Sequence, residues 1–544
     1  AVGAVADTFG FTNDPNIKAV DPVYISSLPN MATCDISQPL DRLSVDCRNE
    51  LAVGEKTLGL DTEDQMTVSH VVGKDGLVGA FVWTSAQSSN TLIMQLPVNI
   101  NIFNNKTING VYTQYPSPIK YIADSFDFWR GDIIYNIEFV CTKFHKGRVR
   151  IRYDPINRGA TTNDSLTAGY NKVIDVGEQT SFQVRVPWMS RLPWLRCDSL
   201  MGVDPPYATQ PLSSLNDGNT NGVLTISVET ELTSPKDGTP IILFVTAKGA
   251  ENLEFAAPKQ SVKNQYVTTP QVGDGIIDEP VELDLTDGTG MFDKETYLQT
   301  MGEKIVSLRQ LCHRRCLWWQ QSLPNFIDDT VSRYQYIRAF RHFPPFPGYS
   351  SGANFLVKSA KTPAGPDAPF NFCNLSLMHR FAAMYSAYRG SINYSFDLDT
   401  SSYISGGLSY AVHRSTLLGD PYDQASALPA TVNATIRDMY MGTENENAGT
   451  AATNQMTQSG LHINAPFYCN RRCVQINPNV STSGIDIYAS AFNLRTVVPR
   501  NKPVATQNAS IMMLNTYVGS GHDFQLLYFI NTPAVSNFST PALA

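Results

Sequence analysis

The stretch "DSFDFWRGDIIYNIEFV", residues 124–140, decides the fold that we expect of this 544-residue chain. After its Arg-Gly step an apolar side chain occupies every second position, at Ile133, Tyr135, Ile137, Phe139 and Cys141. A period of two is typical of a β-strand with one buried face. A second alternation, "RVRIRY" at 148–153, follows the turn "FHKG". Because a short Gly-containing turn separates the two runs, the sequence predicts that they pair as a hairpin.

Arg130-Gly131-Asp132, within this stretch, is a tripeptide associated with cell adhesion. An adhesion ligand needs an exposed, mobile loop tip, whereas this tripeptide lies between aromatic residues and a strand-like alternation. A second copy, Arg389-Gly390-Ser391, lacks the acid. We therefore interpret two groups of residues as structural strand-start motifs: Trp129, Arg130, Gly131 and Asp132, and then Tyr388, Arg389 and Gly390. Glycine permits a close backbone approach, and arginine offers a fixed fork of donors.

An internal repeat organises the chain. "WRGDIIYNI" (129–137) aligns with "YRGSINYSF" (388–396), and the residue numbers of the two arginines differ by 389 − 130 = 259. "KGAENLEF" (248–255) resembles "SGHDFQLLYF" (520–529), where the numbers of the two glycines differ by 521 − 249 = 272. Two matches in the same order indicate two related β domains rather than a short-period solenoid. Many short strands with Gly, Pro and Asn between them favour jelly-roll sandwiches.

The domain prediction follows from this repeat and from composition. We expect an extended arm at 1–60, a first jelly roll at 61–257, a polar linker at 258–292, and a helix with a second jelly roll at 293–544. The helix is predicted from apolar residues that step by three and four: Leu298, Met301, Ile305, Leu308 and Cys312. Asp293 is its expected N-cap. The fold class is all-β, with two antiparallel eight-stranded sandwiches.

Charge and cysteine content exclude several classes of protein. A formal net charge of −8 speaks against a dedicated nucleic-acid-binding chain, because phosphate contacts need clustered Lys and Arg. The 9 cysteines are too few for a secreted disulfide scaffold of this length. No apolar run reaches the roughly 20 residues that span a bilayer, so we expect no membrane insertion.

Few residues resemble a chemical site. "CHRRC" (312–316) and "CNRRC" (469–473) permit a structural zinc site, but buried thiols and surface arginines are the favoured interpretation. Asp328-Asp329 is too close in sequence for paired acid–base work in an extended segment. The 8 histidines are scattered and form no catalytic motif. We expect no catalytic, cofactor-binding or metal-binding residues, and no enzyme activity.

Longer stretches resemble picorna-like virus capsid proteins. "YIADSFDFWRGDIIYNIEFVCTKFHKGRVRIRYDP" (121–155) is similar to their region from strand D to strand E. "EDQMTVSHVVGKDGLVGAFVW" (63–83) resembles the VP3-type subunit of dicistroviruses and marnaviruses. "GEKIVSLRQLCHR" (302–314) and "FAAMYSAYRGSINY" (381–394) resemble their VP1-type subunit. The resemblance touches both halves and most of the chain.

This resemblance implies a structural coat protein of a small positive-strand RNA virus, cut from a polyprotein. It implies an icosahedral pseudo-T=3 shell, assembled in the host cytoplasm, that presents surface loops to a host receptor. The implied partners are VP2-type and small VP4-type subunits, symmetry copies, and weakly held single-stranded RNA. No cofactor is implied.

The chain departs from this family's pattern in its continuity, because VP3-type and VP1-type subunits are usually separated by a protease. Either the fused form is natural, as in the large subunit of some plant picorna-like viruses, or the linker is cut. Gln260, Gln265 and Gln271 are weak candidate cleavage points. A carbohydrate-binding or carbohydrate-cleaving β-sandwich protein is the alternative function.

Overall fold

The structure is a computed structural model that describes the following residues: 40–54, 64–108, 111–156, 169–177, 180–197, 207–209, 218–236, 238–259, 266–269, 281–283, 285, 292–323, 333–340, 342–343, 356–358, 369–371, 376–400, 409–415, 424–428, 449–454, 460–469, 471–476, 491–499, 512–537 and 542–543. We call 68–259 the first half and 308–543 the second half. The described residues within 40–67 are the first arm, and those within 281–307 are the second arm.

Short strands make up most of the chain up to the second arm. They are β1 (Asp41–Arg42), β2 (Gly76–Trp83), β3 (Leu92–Pro97), β4 (Phe103–Ile108), β5 (Val111–Pro116), β6 (Phe126–Arg130), β7 (Ile133–Val140), β8 (Lys146–Asp154), β9 (Tyr170–Asp175), β10 (Ser181–Val186), β11 (Leu195–Arg196), β12 (Val223–Thr233), β13 (Ile241–Gly249), β14 (Glu254–Pro258), β15 (Tyr266–Thr269) and β16 (Val281–Leu283).

The second half continues in the same manner. Its strands are β17 (Cys316–Leu323), β18 (Arg333–Phe340), β19 (Leu356–Lys358), β20 (Pro369–Asn371), β21 (Tyr385–Arg389), β22 (Ile392–Thr400), β23 (Ser409–Ser415), β24 (Gln424–Leu428), β25 (Thr450–Asn454), β26 (Gly460–Ala465), β27 (Val474–Gln475), β28 (Ala491–Pro499), β29 (Met512–Ser520), β30 (Gln525–Phe529), β31 (Ala534–Asn537) and β32 (Ala542–Leu543). The helices are α1 (Val68–Val72), α2 (Pro118–Ala123), α3 (Thr296–Thr300), α4 (Leu308–Cys312) and α5 (Leu377–Ala382).

Each half is a jelly-roll sandwich, as the sequence predicts. In the first half the sheet β10-β7-β13-β2 is accompanied by the sheet β3-β12-β8-β9. The second half repeats this order as β26-β22-β29-β17 and β18-β28-β23-β25. The sheets of the first half pack face to face, since a Cβ on Gly147 of β8 would lie 2.6 Å from the Trp83 indole of β2.

The alternation in the opening stretch is confirmed, but the predicted hairpin is wrong. Ile133, Tyr135, Ile137 and Phe139 of β7 are at most 2% exposed. However, β7 hydrogen-bonds to β10 and β13, whereas β8 pairs with β12 and β9. The turn between β7 and β8 therefore crosses from one sheet to the other. The reason is physical: two strands that each bury one apolar face can oppose those faces across a core instead of sharing a ladder.

The single predicted helix over 298–312 is wrong as well. Two short helices, α3 and α4, occupy this region, and Gly302 separates them at φ +76°. Its N–H donates to Tyr297 O at 2.8 Å, an arrangement with which left-handed glycines commonly end helices. Ser307 then starts α4 through a capping box with Gln310. Asp293 is not the N-cap; Glu295 is, and the Asp293 carboxylate accepts the Glu295 N–H at 2.9 Å.

The predicted arm and linker contribute strands to the sandwiches. From the region predicted as an arm, β1 adds in parallel to β26 of the second half. From the region predicted as a linker, β16 adds in parallel to β10 of the first half. The linker prediction therefore underestimates the structure of this region. A strand of three residues within a polar segment is too short to show a periodicity in the sequence. Among the described residues, no helix has the length and apolar content needed to cross a bilayer.

Candidate functional site

The first strand-start motif lies at a tight contact between two chain segments. Trp129 is fully buried and packs edge-on against Trp188, with ring centroids 5.3 Å apart. Gly131, at φ +122°, follows it, and a Cβ there would lie 2.4 Å from Asn252 O. A positive φ favours glycine, and a backbone atom at this distance leaves no room for any other residue. The motif therefore requires glycine at Gly131 for two independent reasons.

The acid of the Arg-Gly-Asp tripeptide is buried and fully engaged. Asp132 is 6% exposed. One of its carboxylate oxygens accepts from Arg185 Nε at 2.9 Å and forms an ion pair with Arg185 Nη2 at 2.8 Å. The other oxygen accepts the Trp188 N–H at 2.9 Å, and the Asp132 N–H donates to Asn252 Oδ1 at 3.1 Å. Asp132 thus joins the start of β7 to the segment after β10.

Arg130 connects the first half to the second arm. Its side chain is buried, and its guanidinium lies 4.2 Å from the ring centroid of Phe292. It also donates to the carbonyl of Asp293 and lies 3.5 Å from a carboxylate oxygen of Glu254. Burial lowers the pKa of Arg130, and the nearby Glu254 and Asp293 carboxylates oppose that shift. The Arg130 guanidinium thus lies between the Phe292 ring, the Asp293 carbonyl and the Glu254 carboxylate.

The second strand-start motif has the same geometry with different polar groups. Tyr388 is 2% exposed. Gly390 has φ +100°, and a Cβ there would lie 2.2 Å from Asp523 O. The Ser391 N–H donates to Asp523 Oδ1 at 3.0 Å. The Ser391 hydroxyl also donates to this oxygen. The acid thus lies on the opposite segment here, since Asp523 stands where the first half has Asn252.

This equivalence corrects the second repeat offset. Asn252 and Asp523 contact equivalent groups, and their residue numbers differ by 523 − 252 = 271. The same difference relates Ala250 to Gly521, whose N–H groups donate to Asp132 O and Ser391 O. The alignment by residue letters is therefore wrong by one position, because the letters around the turn differ while its hydrogen bonds do not.

The two halves meet through equivalent residues. Thr67 and Ser307, the N-caps of α1 and α4, form an antiparallel bridge. The Val68 N–H donates to Val306 O at 2.9 Å, and the Leu308 N–H donates to Met66 O at 2.9 Å.

A second contact of this kind joins α2 and α5. Tyr121 donates its hydroxyl to Arg380 O at 2.8 Å, and Arg380 donates to Tyr121 O at 3.2 Å. The Arg380 guanidinium also lies 4.5 Å from the centroid of the Tyr121 ring. Both halves thus contribute one donor and one acceptor to the same contact.

The predicted helix residues divide between surface and core. Leu298 is 60% exposed and Met301 is partly buried, whereas Ile305 and Leu308 are buried. The first two lie on α3 and at its end, and the last two lie at the junction of the halves.

The candidate chemical groups form no reactive set in the described part of the chain. Burial raises the pKa of the Cys312 thiol. Among the described residues, no group of three or more His, Cys, Asp or Glu has metal-binding geometry.

His342 and His379 are buried, and His379 Nε2 lies 3.2 Å from His342 O. Burial lowers the pKa of His342 to about 3 and that of His379 to about 4. Asp328 and Asp329 lie outside the described residues.

Sequence reasoning missed the residues that complete these contacts. Asn252, Arg185 and Asp523 are distant in sequence from the motifs that they bind. The repeat carried a partial signal, because both copies contain an Asn or Asp two residues after the small residue that follows the strand. Ser307 with Gln310 has the spacing of a capping box, which marks the start of α4.

Comparison with known proteins finds relatives among viral capsid proteins. Residues 293–540 match the family described as "CRPV capsid protein like". The chain is 21% identical to the structural polyprotein of Cricket paralysis virus, over 98% of the chain and 62% of that polyprotein. It is 23% identical to the structural polyprotein of Acute bee paralysis virus, over 57% of the chain and 39% of that polyprotein. The chain thus spans less than two thirds of either relative.

A solved structure is similar to part of the chain. It is titled as a marine algae virus of the order Picornavirales, and the alignment has a TM-score of 0.41 and 21% identity. It covers 46% of this chain and 96% of that chain.

Proposed function

Since the chain is a capsid protein of the dicistrovirus type, we propose that its two jelly rolls occupy VP3-type and VP1-type positions in the shell of a small positive-strand RNA virus. The observation that supports this assignment is the repeated strand order. Both sandwiches carry the same four-strand sheets, and both start β7 and its equivalent β22 at a glycine pressed against a backbone turn. A shell of pseudo-T=3 type is assembled from such wedge-shaped domains.

The partners that we propose are VP2-type and small VP4-type subunits and symmetry copies of the chain. Weak contacts become effective in a closed shell because symmetry repeats them many times. The net charge of −8 indicates that another component neutralises most of the packaged single-stranded RNA. Host attachment would use surface loops, and assembly would take place in the host cytoplasm.

We propose a structural rather than an enzymatic role for the chain. The strand-start motifs support it, because the Asp132 carboxylate and the Arg130 guanidinium both contact backbone and side-chain groups within the protein. On this view Arg130-Gly131-Asp132 is no adhesion ligand. The carbohydrate-binding alternative would need an aromatic platform or a carboxylate pair, and no sequence motif marks either.

Sizing of the purified protein tests the proposal. A shell protein expressed with its partner subunits should elute as a megadalton particle, whereas a carbohydrate-binding protein should elute as a monomer and be retained on glycan resin. Intact mass of the native polypeptides addresses the linker. One species near the 60.0 kDa of the whole chain would mean a fused coat protein, and two species of about half that mass would mean a cut within 258–292.

A further inference from the structure

Arg389, in the second strand-start motif, is a buried cation without a counter-charge. The residue is 9% exposed, and its Nε atom is buried without a hydrogen-bond partner. Among the described residues, no ion pair reaches the Arg389 guanidinium. A buried charge is normally paired, because nothing else compensates the hydration that it loses on burial. The absence of an acid beside Arg389 is therefore the feature to be explained.

The first half pairs the equivalent arginine with an acid. Arg130 lies directly opposite Glu254 on neighbouring strands, and Glu254 Oε2 is 3.5 Å from Arg130 Nε. Arg389 lies opposite Gln525 in the same register, because 389 − 130 = 259 and 525 − 254 = 271 are the differences of the strand-start motif and of its turn. The second half thus keeps the cation of this pair and replaces the acid by a neutral amide.

The Gln525 amide is itself buried without a partner. The residue is 1% exposed, and its Oε1 atom accepts no hydrogen bond in the described part of the chain. Residues that lie opposite each other on antiparallel strands project to the same face of the sheet. An unpartnered amide therefore stands beside an unpartnered guanidinium.

The surroundings of Arg389 offer no spare carboxylate. The three strands of the sheet β27-β21-β30 contain no Asp or Glu in their sequence. Asp523, in the adjoining turn, accepts the Ser391 N–H and the Leu51 N–H, each at 3.0 Å. Glu50, next to Leu51, lies 2.8 Å from Arg42 Nη2. The acids near this sheet are thus engaged by other groups.

A thiol stands beside Arg389 where the first half has an indole. The strand β27 pairs with β21 as β11 pairs with β6, with a difference of 474 − 195 = 279. The same difference relates Cys473 to Trp194, whose ring centroid lies 5.2 Å from the Arg130 guanidinium. Burial raises the pKa of the Cys473 thiol, and the nearby Arg389 guanidinium opposes that shift. The large ring that covers Arg130 is therefore replaced by a small side chain at Arg389.

The segment "CNRRC" (469–473) brings further positive charge to this place. Arg471 and Arg472 directly precede Cys473, and both are exposed. The first half has Leu192 and Pro193 at the equivalent positions, since 471 − 192 and 472 − 193 also equal 279. The second half thus combines the loss of an acid with the gain of two arginines.

We propose that Arg389 and Gln525 form a binding site for a phosphate group, with Arg471 and Arg472 adding positive charge at its rim. The guanidinium offers a planar fork of donors that matches two oxygens of a phosphate. The amide can donate to a third oxygen or, when turned over, accept from the hydroxyl of hydrogen phosphate. Three arginines without an acid favour a dianion over a singly charged carboxylate. The bound anion would supply the charge that Glu254 supplies to Arg130, and this holds for the free chain as well as for a shell.

Calorimetric titration of the full chain with inorganic phosphate tests the proposal. The titration is run at about pH 7.5, where phosphate is mostly a dianion, and at constant ionic strength, with acetate as the comparison anion. Gln525→Glu places a carboxylate opposite Arg389 and so recreates the pair of the first half, whereas Arg389→Met removes the cation. Arg148→Met is the matched control, because it removes one positive charge from an exposed side chain.

We expect the parent chain to bind phosphate saturably and to bind acetate about tenfold more weakly or worse. Both Gln525→Glu and Arg389→Met should weaken phosphate binding by about tenfold or more, and Arg148→Met should leave it within about twofold of the parent. A parent chain that binds no phosphate would overturn the proposal. Equal affinity in the parent and Gln525→Glu would do the same, and acetate that binds as tightly as phosphate would reject the assignment of the ligand.

Urea unfolding with and without phosphate guards against a variant that merely misfolds. Gln525→Glu should unfold at a urea concentration no lower than the parent in phosphate-free buffer, because it gives the buried cation a counter-charge. Phosphate should raise the midpoint of the parent and of Arg148→Met but not that of Gln525→Glu. An equal rise in all three chains would place the phosphate elsewhere and so overturn the proposal. Failure of the chain to enter a particle would reject the proposed function alone, since phosphate binding is measured on the free chain.

Discussion

Gly131 and Asn252 lie so close that a Cβ on Gly131 would be 2.4 Å from the Asn252 carbonyl oxygen. The same relationship recurs between Gly390 and Asp523, at 2.2 Å. In both halves the start of a central strand is pressed against the turn that follows the neighbouring strand. This contact accounts for the repeated Arg-Gly step, because only glycine permits the backbone approach.

Replacement of Gly131 by alanine should destabilise the first half severely. The strained backbone and the clash with Asn252 O together should cost about 3–5 kcal/mol of the free energy of unfolding. Gly238→Ala is the matched control, since Gly238 also has a positive φ, +79°, but has nothing within 4 Å of the added Cβ. That control should lose only about 1–2 kcal/mol. Urea unfolding measures both, and equal losses would contradict the proposed clash.

Asp132→Asn should weaken the protein without affecting attachment to host cells. The variant loses the ion pair with Arg185 but keeps an oxygen for the Trp188 N–H, so we expect a loss of about 1–3 kcal/mol. Asp175→Asn, in the exposed pair with Arg148, should change the stability by less than about 0.5 kcal/mol. Assembled Asp132→Asn particles that no longer bind cells would show that the tripeptide is a ligand after all.

Arg130→Lys should loosen the second arm. A lysine retains the charge but loses the flat fork that lies over Phe292 and reaches Asp293 O. We expect a cost of about 1–2 kcal/mol and faster hydrogen exchange in β16. Arg148→Lys, on the exposed face of β8, is the control and should leave exchange in β16 unchanged. Equal exchange rates in the two variants would mean that Arg130 does not hold the arm.

The buried histidines predict a loss of stability in acid. Burial holds the pKa of His342 at about 3 and that of His379 at about 4, below the ordinary value near 6.5. As pH falls below 6.5, the unfolded chain binds protons at these sites before the folded chain does. Stability should therefore be full above about pH 7 and fall steadily towards pH 4, by about 1.4 kcal/mol per unit of pKa shift per histidine.

Urea unfolding at pH 7, 6 and 5 measures this slope. His379→Gln should flatten it, because glutamine cannot take up the proton, although it also loses the packing of the ring against Trp318 at 4.9 Å. His70→Gln is the control. A variant slope between pH 7 and 5 that equals the parent slope would contradict the assignment of the acid response to His379.

Periodic and repeated features could be predicted from the sequence. Contacts between residues that are far apart in the chain could not. The alternation at 133–139 identified the buried face of β7, yet it could not say whether β8 lies beside it or across the core. The step of three and four through 298–312 continued across Gly302, whose positive φ ends α3. The arm strands β1 and β16 are two and three residues long, too short to show a period. Their pairing depends on sheet edges that form only when both halves fold.

Electron microscopy of the fast-sedimenting fraction tests the central claim most directly. The chain is expressed together with its partner subunits, treated with nuclease and examined for closed particles and protected RNA. The account predicts icosahedral shells that contain this chain and enclose nuclease-resistant single-stranded RNA. Well-folded chain that remains monomeric under these conditions, with no shells and no protected RNA, would contradict it.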